Sequence, residues 1–202
     1  MKFSKFISYF FHPINFPILG SILYFLLLPE YIFKPQEHLI ITVLLIGTYI
    51  FPLFLLILLK RFGMIDSYHM VTIEERKFPT LLFITTCYIL GNWLFKSTVV
   101  DILSLFYFGY GLVLISTYIL LYNNFKISLH TAAIGGLIGF LICFSYHYKI
   151  NLIILLSIFF LISGFIASSR LRLQAHTSLE VVFGYMIGLI SQFIVYYIYL
   201  LL

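Results

Sequence analysis

Two short polar stretches carry the side chains best suited to chemistry, and each runs straight into an apolar segment. The first, residues 122–131, reads Tyr-Asn-Asn-Phe-Lys-Ile-Ser-Leu-His-Thr. Lys126 and His130 are four apart, a spacing that predicts one helical face with Ser128 at the helix start. The second, residues 168–180, reads Ser-Ser-Arg-Leu-Arg-Leu-Gln-Ala-His-Thr-Ser-Leu-Glu. His176 and Glu180 are also four apart, so the carboxylate can hold one ring nitrogen and leave the other outward as a nucleophile or base. Helix N-termini present unpaired amide donors and a positive dipole end, where anions bind readily. Two such ends, with Lys126, Arg170 and two histidines, describe a site for a phosphate group.

The segment Ser169-Arg170-x5-His176-x3-Glu180 resembles the third motif of the type 2 phosphatidic acid phosphatase superfamily, S-R-x5-H-x3-D. Ser128-Leu129-His130-Thr131 resembles its second motif, P-S-G-H-T, and the 46-residue separation of His130 and His176 also fits. His12-Pro13 and the stretch from Gly63 to Pro79 resemble a subgroup of short bacterial members. Ile127 and Leu129 replace the proline and glycine of the second motif, and Glu180 replaces an aspartate. The first motif, K-x6-R-P, is broken: Arg76-Lys77 precede Phe78-Pro79, but Val71 stands in the place of its lysine.

The resemblance implies a metal-independent, acid-phosphatase-like lipid phosphatase that needs no cofactor. It makes His176 the nucleophile that forms a phosphohistidine, Glu180 its orienter and His130 the general acid. Arg170 and Ser128 would bind the phosphoryl oxygens, with Lys126, Arg76 and Lys77 assisting. Phosphoryl transfer rewards positioning and charge neutralisation above other devices, which suits this set. The substrates implied are lipid phosphate monoesters or diphosphates: undecaprenyl diphosphate, phosphatidic acid, phosphatidylglycerol phosphate or a lipid A phosphate. The partners are then that substrate and the membrane lipids, with no nucleic acid. The rival expectation is a catalytically degenerate member of the same fold, serving as a subunit or scaffold in a membrane complex. The broken first motif motivates it.

Other chemistries fit less well. His130, His176 and Glu180 could ligate zinc, but no H-E-x-x-H pair occurs, and Arg170 and Lys126 alongside disfavour a metal cation. Two histidines on separate helices could hold haem, against the same objection. Lys34, Lys96 and Lys149 read as snorkelling anchors, and His38, His69 and His147 as membrane-interface residues. Cys87 and Cys143 sit apart in apolar runs, which argues against a disulfide framework.

The elements that must position these groups follow from composition. Of 202 residues, 62% are apolar or aromatic and 9% charged, against about 45–50% and about 25% in soluble domains. A soluble globule and a disordered chain are both excluded. Apolar runs fall at roughly 15–29, 39–59, 79–96, 99–122, 129–147, 150–168 and 180–202, each near the length of a membrane span. The expectation is an all-α, polytopic transmembrane bundle of about seven helices, forming a single domain over 1–202 with its catalytic core at about 60–202. A basic interfacial segment leads into the first span. Pro52 is placed to kink the second, and Pro79 suits the first turn of the third. Gly135 with Gly139, and Gly184 with Gly188, have the spacing of close helix–helix contacts.

Seven spans put the N-terminus and the regions 60–78, 122–129 and 168–180 on one side of the membrane. That side carries Lys2, Lys5, Lys60, Arg61, Arg76, Lys77, Lys126, Arg170 and Arg172, nine of twelve basic residues. Counted whole, they make it cytoplasmic. Setting aside the five suited to phosphate (Arg76, Lys77, Lys126, Arg170 and Arg172) leaves four against the opposite side's three, a margin that decides nothing. The resemblance then points to the periplasmic face of a bacterial inner membrane. In intact cells, a membrane-impermeant thiol reagent is therefore expected to label Ser67→Cys and to spare Ser97→Cys. The reverse pattern would place the site in the cytoplasm.

Overall fold

The computed structural model describes residues 2–66, 72–97 and 100–202. Ser67, His69 and Val71 lie outside the described residues. Among the described residues nine α-helices follow in order: α1 (Lys2–Phe10), α2 (Phe16–Leu27), α3 (Lys34–Leu45), α4 (Phe51–Arg61), α5 (Ile73–Lys96), α6 (Asp101–Tyr122), α7 (Leu129–Tyr148), α8 (Ile153–Arg172) and α9 (Ser178–Leu201). No strand occurs among the described residues. These helices make up seven segments long and apolar enough to cross a membrane. The protein is an all-α, multi-pass membrane protein.

Prolines shape the first three segments. A short 3-10 turn at Pro13–Asn15 separates α1 from α2, so the basic N-terminal segment is itself a helix. In the second segment, a π turn over Ile46–Ile50 precedes Pro52. Pro52 has no N–H to give the Thr48 carbonyl, and the wider turn absorbs the mismatch, with Phe51 N–H donating to Ile46 O. Pro79, expected in a first turn, lies well inside α5. The helix starts earlier because Thr72 and Glu75 form a reciprocal capping box ahead of it.

The centre of the bundle is α6, α7 and α9. Leu103, Phe106, Ile134, Leu137, Leu141 and Phe144 are fully buried there. Helices α7 and α9 run parallel, both leaving the same membrane face, and their glycines let the backbones touch. A Cβ at Gly188 would stand 2.1 Å from the Ala132 carbonyl oxygen, and one at Gly135 would stand 2.3 Å from the Tyr185 carbonyl oxygen. Helix α5 packs along α6, and α8 lies outside against α7 and α1. Two polar contacts inside the bundle join helices: Gln192 donates to Phe106 O at 3.2 Å, and the Ser21 and Tyr107 hydroxyls meet at 2.7 Å.

Alanine at two glycines is expected to move stability in opposite directions. At Gly188 the new methyl meets backbone, whereas at Gly164 it meets nothing within 4 Å. Overpacking costs typically about 1–3 kcal/mol, while replacing an unconstrained helical glycine gains up to about 1 kcal/mol. Thermal unfolding in detergent should fall for Gly188→Ala and hold or rise for Gly164→Ala. Equal shifts would mean that the α7–α9 contact is not rigid.

Candidate active site

The close contact of α7 and α9 sets their N-termini side by side. Ser128 N–H donates to Glu180 O at 3.1 Å, and Thr131 Oγ1 donates to Val181 O at 2.9 Å. Around this seam lie the start of α5, the loop 123–128, the end of α8 and the inner face of α1.

His176 sits just before α9. The helix is capped by Thr177, whose Oγ1 accepts from Glu180 N–H at 3.3 Å while Glu180 Oε2 accepts from Thr177 N–H at 2.9 Å. The same Oε2 lies 3.2 Å from His176 Nδ1, and Lys126 O lies 3.1 Å from it. Both neighbours are acceptors, so Nδ1 carries the proton and Nε2 keeps its lone pair. The side chain is 3% exposed. Burial, and next the Arg170 guanidinium, hold its pKa down to about 4 against the opposing pull of Glu180. His176 is therefore a neutral imidazole of fixed tautomer.

His130 lies in the first turn of α7 and has the opposite tautomer. Its Nε2 is 3.1 Å from Ser8 O, an acceptor only, so Nε2 bears the proton. The Ser8 hydroxyl is 3.4 Å away, and the His12 ring meets the His130 ring edge to face at 5.6 Å. One imidazole thus holds a free lone pair and the other an N–H aimed at an acceptor.

Three cations surround the pair. Arg170, at the end of α8, donates from Nη1 to Ser8 Oγ at 2.6 Å, while its buried Nε has no partner. Arg76 is within electrostatic reach of Glu180 and of His176. Burial, and then Arg76, lower the pKa of Lys126, with Glu180 opposing. The Ser128 hydroxyl is fully buried with no partner, although N-cap serines commonly turn back to bond their own helix. A buried polar atom left unpaired is rare in folded proteins. Here two such atoms, Ser128 Oγ and Arg170 Nε, belong to one constellation.

Of the predicted residues, His176, Glu180, His130, Arg170, Ser128, Lys126 and Arg76 share this end of the bundle. Two placements differ from expectation. Lys126 does not share a helical face with His130, because α7 begins only at Leu129 and Lys126 lies in the preceding loop. The loop turns at Asn124, whose left-handed φ of 56° asparagine tolerates well, and it is the Lys126 carbonyl that meets His176. Lys77 is engaged elsewhere: its ammonium pairs with Glu74 at 2.6 Å and sits 4.6 Å from the Tyr122 ring centre. Ser8 and His12 were not foreseen as site residues, and both precede the stretch expected to form the core. Their signal was the helical spacing of Ser4 and Ser8, a polar stripe among aromatics. Among the described residues, no three His, Cys, Asp or Glu side chains are grouped as metal ligands. Comparison of the chain with family models, curated proteins and solved structures finds no match.

The depressed His176 pKa fixes the sign of a pH effect. Between the ordinary value near 6.5 and the folded value of about 4, the unfolded chain binds the extra proton. Stability attributable to His176 is thus complete above pH 6.5 and is lost as pH falls towards 4. In detergent, the drop in melting temperature from pH 7 to pH 4.5 is expected to be smaller for His176→Gln than for wild type. An identical drop in both would mean that His176 is not held neutral.

Proposed function

We propose that this protein is an integral-membrane phosphatase that removes phosphate from a lipid monoester or diphosphate through a phosphohistidine intermediate. The observation that carries the reading is the pairing of two imidazoles in opposite tautomers, beside three cations and a buried, unpartnered serine hydroxyl. In this reading His176 Nε2 attacks phosphorus while the bond from phosphorus to the lipid oxygen breaks. His130, brought to its doubly protonated form by a proton taken up with the anionic substrate, gives its Nε2 proton to the departing alkoxide or phosphate and becomes neutral. The neutral His130 then takes a proton from water, whose oxygen attacks the phosphohistidine, releasing inorganic phosphate and restoring His176. Glu180 keeps the Nδ1 proton of His176 in place and stabilises positive charge as the ring is phosphorylated. Arg170, Lys126 and Arg76 neutralise the phosphoryl oxygens, and Ser128 Oγ donates to one of them.

The substrate class follows from where the site lies. It lies at one end of a bundle whose flanks are apolar, so an acyl or prenyl chain would lie along the helices and its headgroup would meet the basic cluster. Undecaprenyl diphosphate, phosphatidic acid, phosphatidylglycerol phosphate and lipid A phosphates all meet that description. We place the site on the periplasmic face of a bacterial inner membrane. A non-catalytic scaffold of a membrane complex is the rival, favoured by the contacts Ser8 makes with both Arg170 and His130.

The test is release of phosphate from a panel of these lipids by purified protein. His176→Ala is expected to lower turnover by roughly 10³-fold or more, as loss of a covalent nucleophile does. Radiolabelled phosphate should be trapped on the wild-type protein in an acid-labile, alkali-stable form. The acidic limb of kcat/KM should fall near pH 4, where the free protein's His176 titrates, and not near 6.5. Equal turnover by wild type and His176→Ala would exclude the enzyme and leave the scaffold.

A further inference from the structure

Helix α1 is fastened to the site by one face. Ser169 Oγ donates to Ser4 O at 2.6 Å, and one turn later Arg170 Nη1 donates to Ser8 Oγ at 2.6 Å. Ser8 also meets His130 Nε2 through its carbonyl at 3.1 Å. The arginine that would hold a phosphoryl oxygen and the imidazole N–H that would protonate a leaving group thus both meet one serine. The other faces of α1 are exposed, apart from an edge-to-face contact of Phe3 with Phe165 at 6.5 Å. Phe3, Phe6 and Phe10 are each 61% exposed, and Lys2 and Lys5 are exposed as well. The 3-10 turn at Pro13–Asn15 divides α1 from α2, which leaves a joint between them.

We infer that α1 is a self-inhibitory cap, in which Ser8 occupies the position of a substrate phosphoryl oxygen and must leave before substrate binds. The inference rests on the phosphatase reading of the site. A phosphate oxygen is the stronger acceptor for a guanidinium, since the bond is then charged on both sides. Ser8 therefore holds the site closed without being able to exclude a phosphate that arrives. Displacement also frees His130 N–H from the Ser8 carbonyl, so binding and readiness of the acid are gained together. The released helix is suited to the headgroup region, with an aromatic face for the acyl boundary and lysines for anionic lipid.

The experiment uses the full chain in detergent with inorganic phosphate as the probe. Affinity is read by thermal shift, and a nitroxide on Lys5→Cys reports on α1, since native Cys87 and Cys143 are buried. Ser8→Ala removes the competing hydroxyl and should bind phosphate roughly tenfold more tightly, the equivalent of one charged hydrogen bond. Ile7→Asp, which unseats the buried anchor of α1, should act in the same direction. The nitroxide should gain mobility when phosphate saturates wild type, and should be mobile in Ile7→Asp without it. Unchanged or weaker binding by both variants would make Ser8 a supporting group and overturn the cap, as would a nitroxide that stays immobile at saturation. Failure of wild type and both variants to bind phosphate would remove the phosphatase reading, and the cap with it.

Discussion

The structure depends on two parallel helices being allowed to touch. Helices α7 and α9 leave the same membrane face with α8 returning between them, and glycines at Gly135, Gly139, Gly184 and Gly188 bring backbone against backbone. In lipid, apolar side chains gain little by moving from tails to a neighbouring helix, so contact of this kind must come from close packing. Its result is local and chemical. Two helix N-termini, each the positive end of a dipole, are pressed together at the point where His130 and His176 emerge. Cationic side chains are then added around them. Such a concentration of positive potential is unfavourable by itself and is eased here by the Glu180 carboxylate, which acts on both Arg76 and Lys126.

The rest of the bundle secures that contact. Gln192 is 2% exposed at the middle of a span and would be expensive there unpaired. It bonds the Phe106 carbonyl, and Gly109 on α6 leaves room for its amide. Tyr110 adds a bond to the Ala133 carbonyl at 3.0 Å. These bonds tie α6 to α9 and to α7, fixing the depth at which the N-termini end. The Ser21–Tyr107 pair does the same for α2 against α6. Polar groups at membrane depth here serve register, and the cluster of histidines and cations is confined to the helix ends.

Much of this was legible in the sequence, because hydropathy and helix length are strong signals in a chain with so few charges. The spans, the glycine stripes and the meeting of the 122–131 and 168–180 regions all follow from it. What was not legible depended on where helices begin. Thr72 and Glu75 start α5 before Arg76, which moves Pro79 into its interior, while the late start of α7 leaves Lys126 in a loop. Both turn on capping, a contest among a few backbone bonds that hydropathy does not register. The contact of Lys77 with the Tyr122 ring on another helix is likewise one that charge alone does not show. The position of α1 was beyond sequence reasoning, since its contacts with Ser169 and Arg170 span about 160 residues.

Glu180 closes the capping box of α9 and orients His176 with the same oxygen. The event that starts the helix is therefore also the event that aligns the imidazole. An α9 that begins one residue early or late, or frays at its first turn, leaves His176 Nδ1 with the Lys126 carbonyl alone. Chains with this defect would still insert and pack along their length, with the imidazole less firmly held. The arrangement works as an interlock: the imidazole gains its carboxylate partner only once α9 has started in register. An aspartate, one methylene shorter, would have less reach with which to serve both partners. The longer side chain at this position thus gives a physical reason for the departure from the motif it resembles.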